Sequence, residues 1–249
     1  MLPASSCSED RDTAPFHDGC YTELAPGDDG LRILFIGNSL TYWHDVGGIL
    51  AGLFAQADVS FNQIETLAKP NYGLQDHWTD PSVHATLAEG WDVVILQQGP
   101  SATEGRPSLL EYSKKFAGEI RATGGEPGLF MVWPAKVRFF DFNGVSDSYA
   151  AAADSVDGWL FPAGEAWLAA WDRDPDLPLY GPDAFHPSPR GAYLAAVVMF
   201  EQLSGVAAGI LNGAFCPTGE ATVQLSAAEA AVLHAAASEA NAAFARPVP

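Results

Sequence analysis

The chain has 249 residues, 48% of them hydrophobic, and its 12 Lys and Arg against 31 Asp and Glu leave a net charge of -19. A surface so acidic repels nucleic acid and anionic lipid headgroups, so neither is an expected partner. No run of about 18 apolar residues occurs, hence no transmembrane helix is expected, and no Cys and His spacing resembles a zinc site.

Residues 1–30 lack periodicity and are rich in Ser, Asp, Pro and Gly. They read as an irregular N-terminal extension ahead of a single domain over residues 31–249. The extension has no basic stretch followed by an apolar one, so it holds no intact export signal. Two of the three cysteines, Cys7 and Cys20, fall in it, and Cys216 lies far away. A Cys7–Cys20 disulfide would tie down a segment with little core of its own and would place the protein in an oxidising compartment, secreted or periplasmic; three unrelated thiols fit the spacing equally well.

The domain opens on Leu31-Arg32-Ile33-Leu34-Phe35-Ile36-Gly37-Asn38-Ser39-Leu40-Thr41. Ile33 to Ile36 reads as a strand buried on both faces, Gly37 as a sharp turn, and Ser39 as the tip of that turn, just ahead of a helix. A nucleophile would stand there; the plainer reading is that Asn38 and Ser39 only cap the helix. Asp45 then caps a helix to about Ala57, and a strand runs from about Val59 to Thr66. The loop from Leu67 to Gly73 returns to the edge that carries Ser39. Leu74 to Glu89 is a helical stretch interrupted at Pro81, and Val93 to Leu96 is a continuous apolar run, hence a central parallel strand, ending in Gln97 and Gln98. Leu109 to Thr123 reads as a helix closed by Gly124 and Gly125, and Leu129 to Trp133 as a fourth strand. Val137 to Asn143 is aromatic without periodicity, either a pocket wall or cover over the core. Ser146 to Asp157 is helical, Trp159 to Phe161 is a short fifth strand, and the helix from Gly164 places Trp167 and Trp171 on one core-facing side.

Strand and helix alternate, which makes an α/β fold: a single three-layer α/β/α domain around a parallel sheet of about five strands. In a doubly wound sheet strand one is flanked by strands two and three, and ligands sit where the order reverses. Ser39 and Gln97 are at the two tips that face each other there. Further on, Asp183-Ala184-Phe185-His186 sets an Asp and a His three residues apart, with Ser188 and Pro189 suited to N-cap and first turn of a helix that ends at Gly205. Asn212 to Val223 reads as loop and edge structure, and Ser226-Ala227-Ala228-Glu229 as a capping box opening a last, Ala-rich helix to about Phe244. A Ser hydroxyl needs a base to remove its proton, and an imidazole needs a carboxylate to fix its tautomer; Ser39, Asp183 and His186 supply all three groups in that order.

Gly37-Asn38-Ser39-Leu40 and Asp183-Ala184-Phe185-His186 resemble the first and last blocks of the SGNH/GDSL hydrolases. The likeness is strongest to a bacterial branch in which the Ser block continues as Thr41-Tyr42 does, and the His block as His186-Pro187-Ser188 and Gly191-Ala192-Tyr193-Leu194 do. The resemblance spans about Leu31 to Gly205 and implies a flavodoxin-like sheet, a serine esterase acting through an acyl-enzyme, and no metal or organic cofactor. It makes Ser39, Asp183 and His186 catalytic. It places an oxyanion donor at Gly73, with Asn71 the alternative, and another at Gln97 or Gln98, where the family has Asn and this branch a Leu-Gln-Glu like Leu96-Gln97-Gln98. The expected substrate is a small-molecule or polysaccharide ester, such as a short-chain or carbohydrate O-acetyl ester. A non-catalytic carbohydrate-binding or scaffold protein, and an acyltransferase with the same triad, are the rivals. An α/β-hydrolase elbow is disfavoured because Thr41 stands where Gly-x-Ser-x-Gly needs its last Gly.

Overall fold

The computed structural model describes residues 30–100, 102–217 and 222–246. The N-terminal extension, and with it the Cys7–Cys20 pairing raised by the sequence, lies outside the described residues. Five parallel strands, β1 (Leu31–Gly37), β2 (Phe61–Ala68), β3 (Val93–Leu96), β4 (Glu126–Phe130) and β5 (Trp159–Phe161), form one sheet in the order β2-β1-β3-β4-β5. Ile33 to Ile36 and all of β3 are fully or nearly fully buried, as continuous apolar runs in a doubly covered parallel sheet must be. The order reverses between β1 and β3, whose register pairs Ile36 with Leu96, so Gly37 and Gln97 leave the sheet side by side. The expected three-layer fold is present.

The helices fall into two packed groups. One contains α2 (Val46–Gln56), α7 (Ala163–Arg173), α8 (Pro189–Ser204) and α9 (Ala227–Phe244); the other contains α3 (Leu74–Trp78), α4 (Pro81–Leu87), α5 (Arg106–Ala122) and α6 (Phe142–Val156). The four-residue helix α1 (Ser39–Tyr42) sits at the end of β1. Helix α2 buries most of its residues because α8 covers the side turned away from the sheet. The local signals act as read: Asp45 caps α2, Pro81 is in the first turn of α4, Ser188 caps α8, Gly205 closes it in the left-handed conformation, and Ser226 and Glu229 form the capping box of α9. Trp167 is fully buried and stacks on Trp133 at 3.7 Å, which makes it core.

Two expectations shift. The fourth strand is Glu126–Phe130, not Leu129 to Trp133, because Pro127 does not break it. Glu126 donates its N–H to Asp92 O on the β3 side, so residue 127 faces β5, which begins only at Trp159 opposite Gly128; no ladder bond is lost. Late in the chain, β6 (Ala214–Phe215) and β7 (Val223–Gln224) pair as a separate antiparallel ribbon rather than at an edge of the main sheet, tied to α2 by the bond from Gln56 Nε2 to Ala214 O at 2.6 Å. Cys216, at the end of β6, is disulfide-bonded.

Candidate active site

The serine turn is held from three directions. Gly37 is needed where it stands: a Cβ there would overlap Thr41 Oγ1 and lie 2.6 Å from Gln97 Oε1. Asn38 caps α1 through Oδ1, which accepts from Leu40 N at 3.1 Å, and its Nδ2 donates to Tyr72 O at 2.9 Å, joining the turn to the loop after β2. From β3, the fully buried Gln97 accepts at Oε1 from Asn38 N and from Thr41 Oγ1, both at 2.8 Å, and donates Nε2 to Gln98 O. From α3, His77 Nε2 donates to Gly37 O at 2.7 Å. Burial, aided by the Lys69 charge, holds the His77 pKa below its ordinary 6.5 against the opposing pull of the Gly37 carbonyl, and Nδ1 is buried without a partner. The ring is therefore the neutral tautomer with its proton on Nε2. Ser39 at the head of α1 is nearly buried, and as the first helical residue its N–H has no intrahelical acceptor.

The Asp-His loop satisfies itself locally. Asp183 Oδ1 accepts from Phe185 N at 3.0 Å and His186 N at 2.9 Å, while Oδ2 meets His186 Nδ1 at 2.5 Å. Ala184 between them is left-handed at φ 57 and is pinned by its C=O, which accepts from Lys136 N at 2.9 Å. Burial works to raise the Asp183 pKa, but the His186 imidazole and the two N–H bonds outweigh it and hold the carboxyl below the usual range. The loop is braced by Gly181 N to His186 O at 2.8 Å, Trp133 Nε1 to Phe185 O at 3.2 Å and Tyr180 OH to Pro134 O at 2.6 Å.

The two parts meet through Trp43. Its N–H closes α1 on Ser39 O, and its indole stacks on the His186 ring at 4.2 Å and 15°. Among the described residues, Ser39 Oγ and His186 Nε2 are hydrogen-bonded neither to each other nor elsewhere. A polar cavity of about 350 Å³ opens at Ser39, walled by Gly73, Gln98, Asp76, Asn71 and Phe185. Among the described residues no group of three His, Cys, Asp or Glu is placed to hold a metal ion.

The expected oxyanion donors separate. Gln97 is not among the residues that line the cavity, and both ends of its carboxamide are hydrogen-bonded at the serine turn. Gln98 does line the cavity, but its Nε2 donates to Gly105 O at 3.2 Å and its Oε1 is the end left unpaired. Gly73 lies at the cavity with its N–H bonded to Asp76 Oδ2 at 2.8 Å, and Asn71, left-handed at φ 61, is exposed at the rim. Trp43, Asp76 and His77 were not singled out from sequence. For Trp43 a signal was available, since four residues from Ser39 is one helical turn.

No family model matches the sequence, and no curated protein matches it. Solved structures do match. A putative SGNH hydrolase from Slackia heliotrinireducens superposes with a TM-score of 0.59 at 23% identity, covering 70% of this chain and 98% of the other. The fold is that of the SGNH hydrolases. A DUF4886 family protein from Bacteroides uniformis ATCC 8492 gives a TM-score of 0.70 at 17% identity over 85% of this chain and 95% of its own. The acetyl xylan esterase AlAXEase gives 0.54 at 16% identity over 69% and 98%.

Proposed function

We propose that the chain is a serine esterase that hydrolyses small acyl esters, with carbohydrate O-acetyl esters the favoured class. The observation that carries this reading is the Asp183–His186 pair stacked on Trp43, one helical turn from Ser39. Asp183 fixes the proton on His186 Nδ1 and leaves Nε2 as the base. His186 Nε2 takes the Ser39 proton as Oγ attacks the ester carbonyl. The tetrahedral oxyanion is received by Ser39 N–H and by Gly73 N–H, from which the substrate displaces the exposed Asp76 carboxylate. His186 then protonates the leaving alcohol, and the acyl group stays on Ser39. Water, deprotonated by His186, attacks the acyl-enzyme; the acid leaves and Ser39 recovers its proton. That no hydrogen bond joins Ser39 Oγ to His186 Nε2 among the described residues suits a free enzyme whose reacting groups close up on substrate.

The cavity is small and polar, which favours a short acyl group on a hydroxyl-bearing alcohol over a long acyl chain. Disulfide-bonded Cys216 supports an oxidising compartment, hence a secreted or periplasmic enzyme. Among the described residues no helix is long and apolar enough to cross a membrane. One observation favours the non-catalytic carbohydrate-binding reading: the Gly73 N–H is occupied and Gln97 is turned away. Hydrolysis of p-nitrophenyl acetate, butyrate and octanoate, with acetylated xylan alongside, separates the two. The esterase predicts turnover that falls with acyl length and disappears in Ser39→Ala; no turnover above that variant on any ester favours a binding protein.

A further inference from the structure

Gln97 and Gln98 are adjacent, and the structure spends them in opposite ways. The Gln98 backbone is clamped: its N–H donates to Tyr149 OH at 3.2 Å, while its C=O accepts from Tyr149 OH at 2.5 Å and from Gln97 Nε2. Tyr149 is fully buried, and burial raises its pKa, so the phenol stays protonated and the clamp persists across the physiological range. The Gln98 side chain lies in the cavity wall, 8% exposed. One end of its carboxamide is committed to Gly105 O. Turning the amide over would set Oε1 against that carbonyl, acceptor to acceptor, so the oxygen is the free end. Oε1 is buried and has no partner, lying 3.5 Å from where a Gly73 Cβ would be. A buried acceptor left unmatched is costly, and one in a cavity wall is matched when a bound molecule brings a donor to it.

We propose that Gln98 Oε1 is the acceptor for a hydroxyl of the substrate's alcohol portion, and that it selects esters of polyhydroxylated alcohols over esters of plain alkanols. The inference rests on the esterase reading and gives Gln98 a specificity role in place of an oxyanion role. A free hydroxyl donates to Oε1 and completes the Gln98 carboxamide; an alkyl group in its place leaves the oxygen buried and unpaired, which is the arrangement that rejects analogues most strongly.

The test compares two acetates of similar size, glyceryl 1-acetate and propyl acetate, in the wild type and Gln98→Met. Their intrinsic difference in reactivity cancels when kcat/KM ratios are compared between enzymes. The expected result is a preference for the glyceryl ester that drops roughly tenfold in Gln98→Met, which carries no acceptor oxygen. Equal losses on both esters would assign Gln98 to the ester carbonyl or to the fold, and an unchanged ratio would remove it from recognition; either overturns the proposal. Turnover that disappears in Ser39→Ala establishes the underlying esterase reading separately. Without turnover, glycerol and 1-propanol are compared as ligands by the Tm shift each gives the wild type and Gln98→Met. A glycerol shift confined to the wild type upholds the assignment, and equal shifts in both proteins overturn it.

Discussion

Around Ser39 the polar groups of the turn are matched from other elements: Asn38 N and Thr41 Oγ1 by Gln97, 59 and 56 residues away, and Gly37 O by His77, 40 residues away. Around His186 the matching is local, since Asp183 holds both the loop's N–H groups and the imidazole from three residues away, in a half-exposed position. Ser39, the proposed nucleophile, is thus set by tertiary structure, and His186, the proposed base, by a four-residue turn that the fold only has to brace. Damage to the first should cost stability and activity together, and damage to the second activity alone.

The most severe loss expected is from Asp183→Asn. The amide keeps an oxygen for Phe185 N and His186 N, so Tm should move little, but it donates to Nδ1 and imposes the wrong tautomer; kcat should fall about 10⁴-fold. Equal falls in Tm and kcat would break the contrast. Next comes Gln97→Leu, which strands the Asn38 N–H and the Thr41 hydroxyl in a dry site. A loss of about 2–4 kcal/mol in urea unfolding is expected, with activity falling in parallel. Full stability with activity lost would return Gln97 to the substrate.

His77→Phe should cost about 1 kcal/mol, because Lys69 N still serves Gly37 O. Its sharper signature is in pH. The His77 pKa is lowered in the folded state, so below the ordinary 6.5 the unfolded chain binds a proton that the folded one does not. Stability is therefore lost as pH falls through and below that value. His234, also buried with a lowered pKa, works in the same direction, so Tm between pH 8 and 5 should fall less steeply in His77→Phe but not become flat. The smallest effect expected is from Asp76→Ala. It removes a capping interaction worth about 0.5–1 kcal/mol and frees Gly73 N–H, and kcat/KM should rise roughly two- to fivefold. Unchanged or reduced kcat/KM would take Gly73 out of the oxyanion site.

The same contrast explains what could be read from the sequence. The Asp183–His186 turn, the Ser188 and Ser226 caps and the apolar run of β3 are local patterns, and each is present as read. The division of labour between Gln97 and Gln98 was not legible. It depends on a one-residue alternation at the end of β3 that sends one carboxamide under the serine turn and the other into the cavity, and both choices look alike in sequence. His77 was missed for the same reason, since nothing near it in sequence announces Gly37 O. The start of β4 at Glu126 was not legible either, since the side of the strand that tolerates Pro127 is visible only in the assembled sheet.

The central claim is that Ser39 is a nucleophile activated by His186. Its most direct test is labelling with a fluorophosphonate followed by mapping of the adduct by mass spectrometry. The account predicts one adduct, on Ser39, absent in Ser39→Ala and formed much more slowly in His186→Ala. A native protein that takes no label, or takes it on another residue, would contradict it.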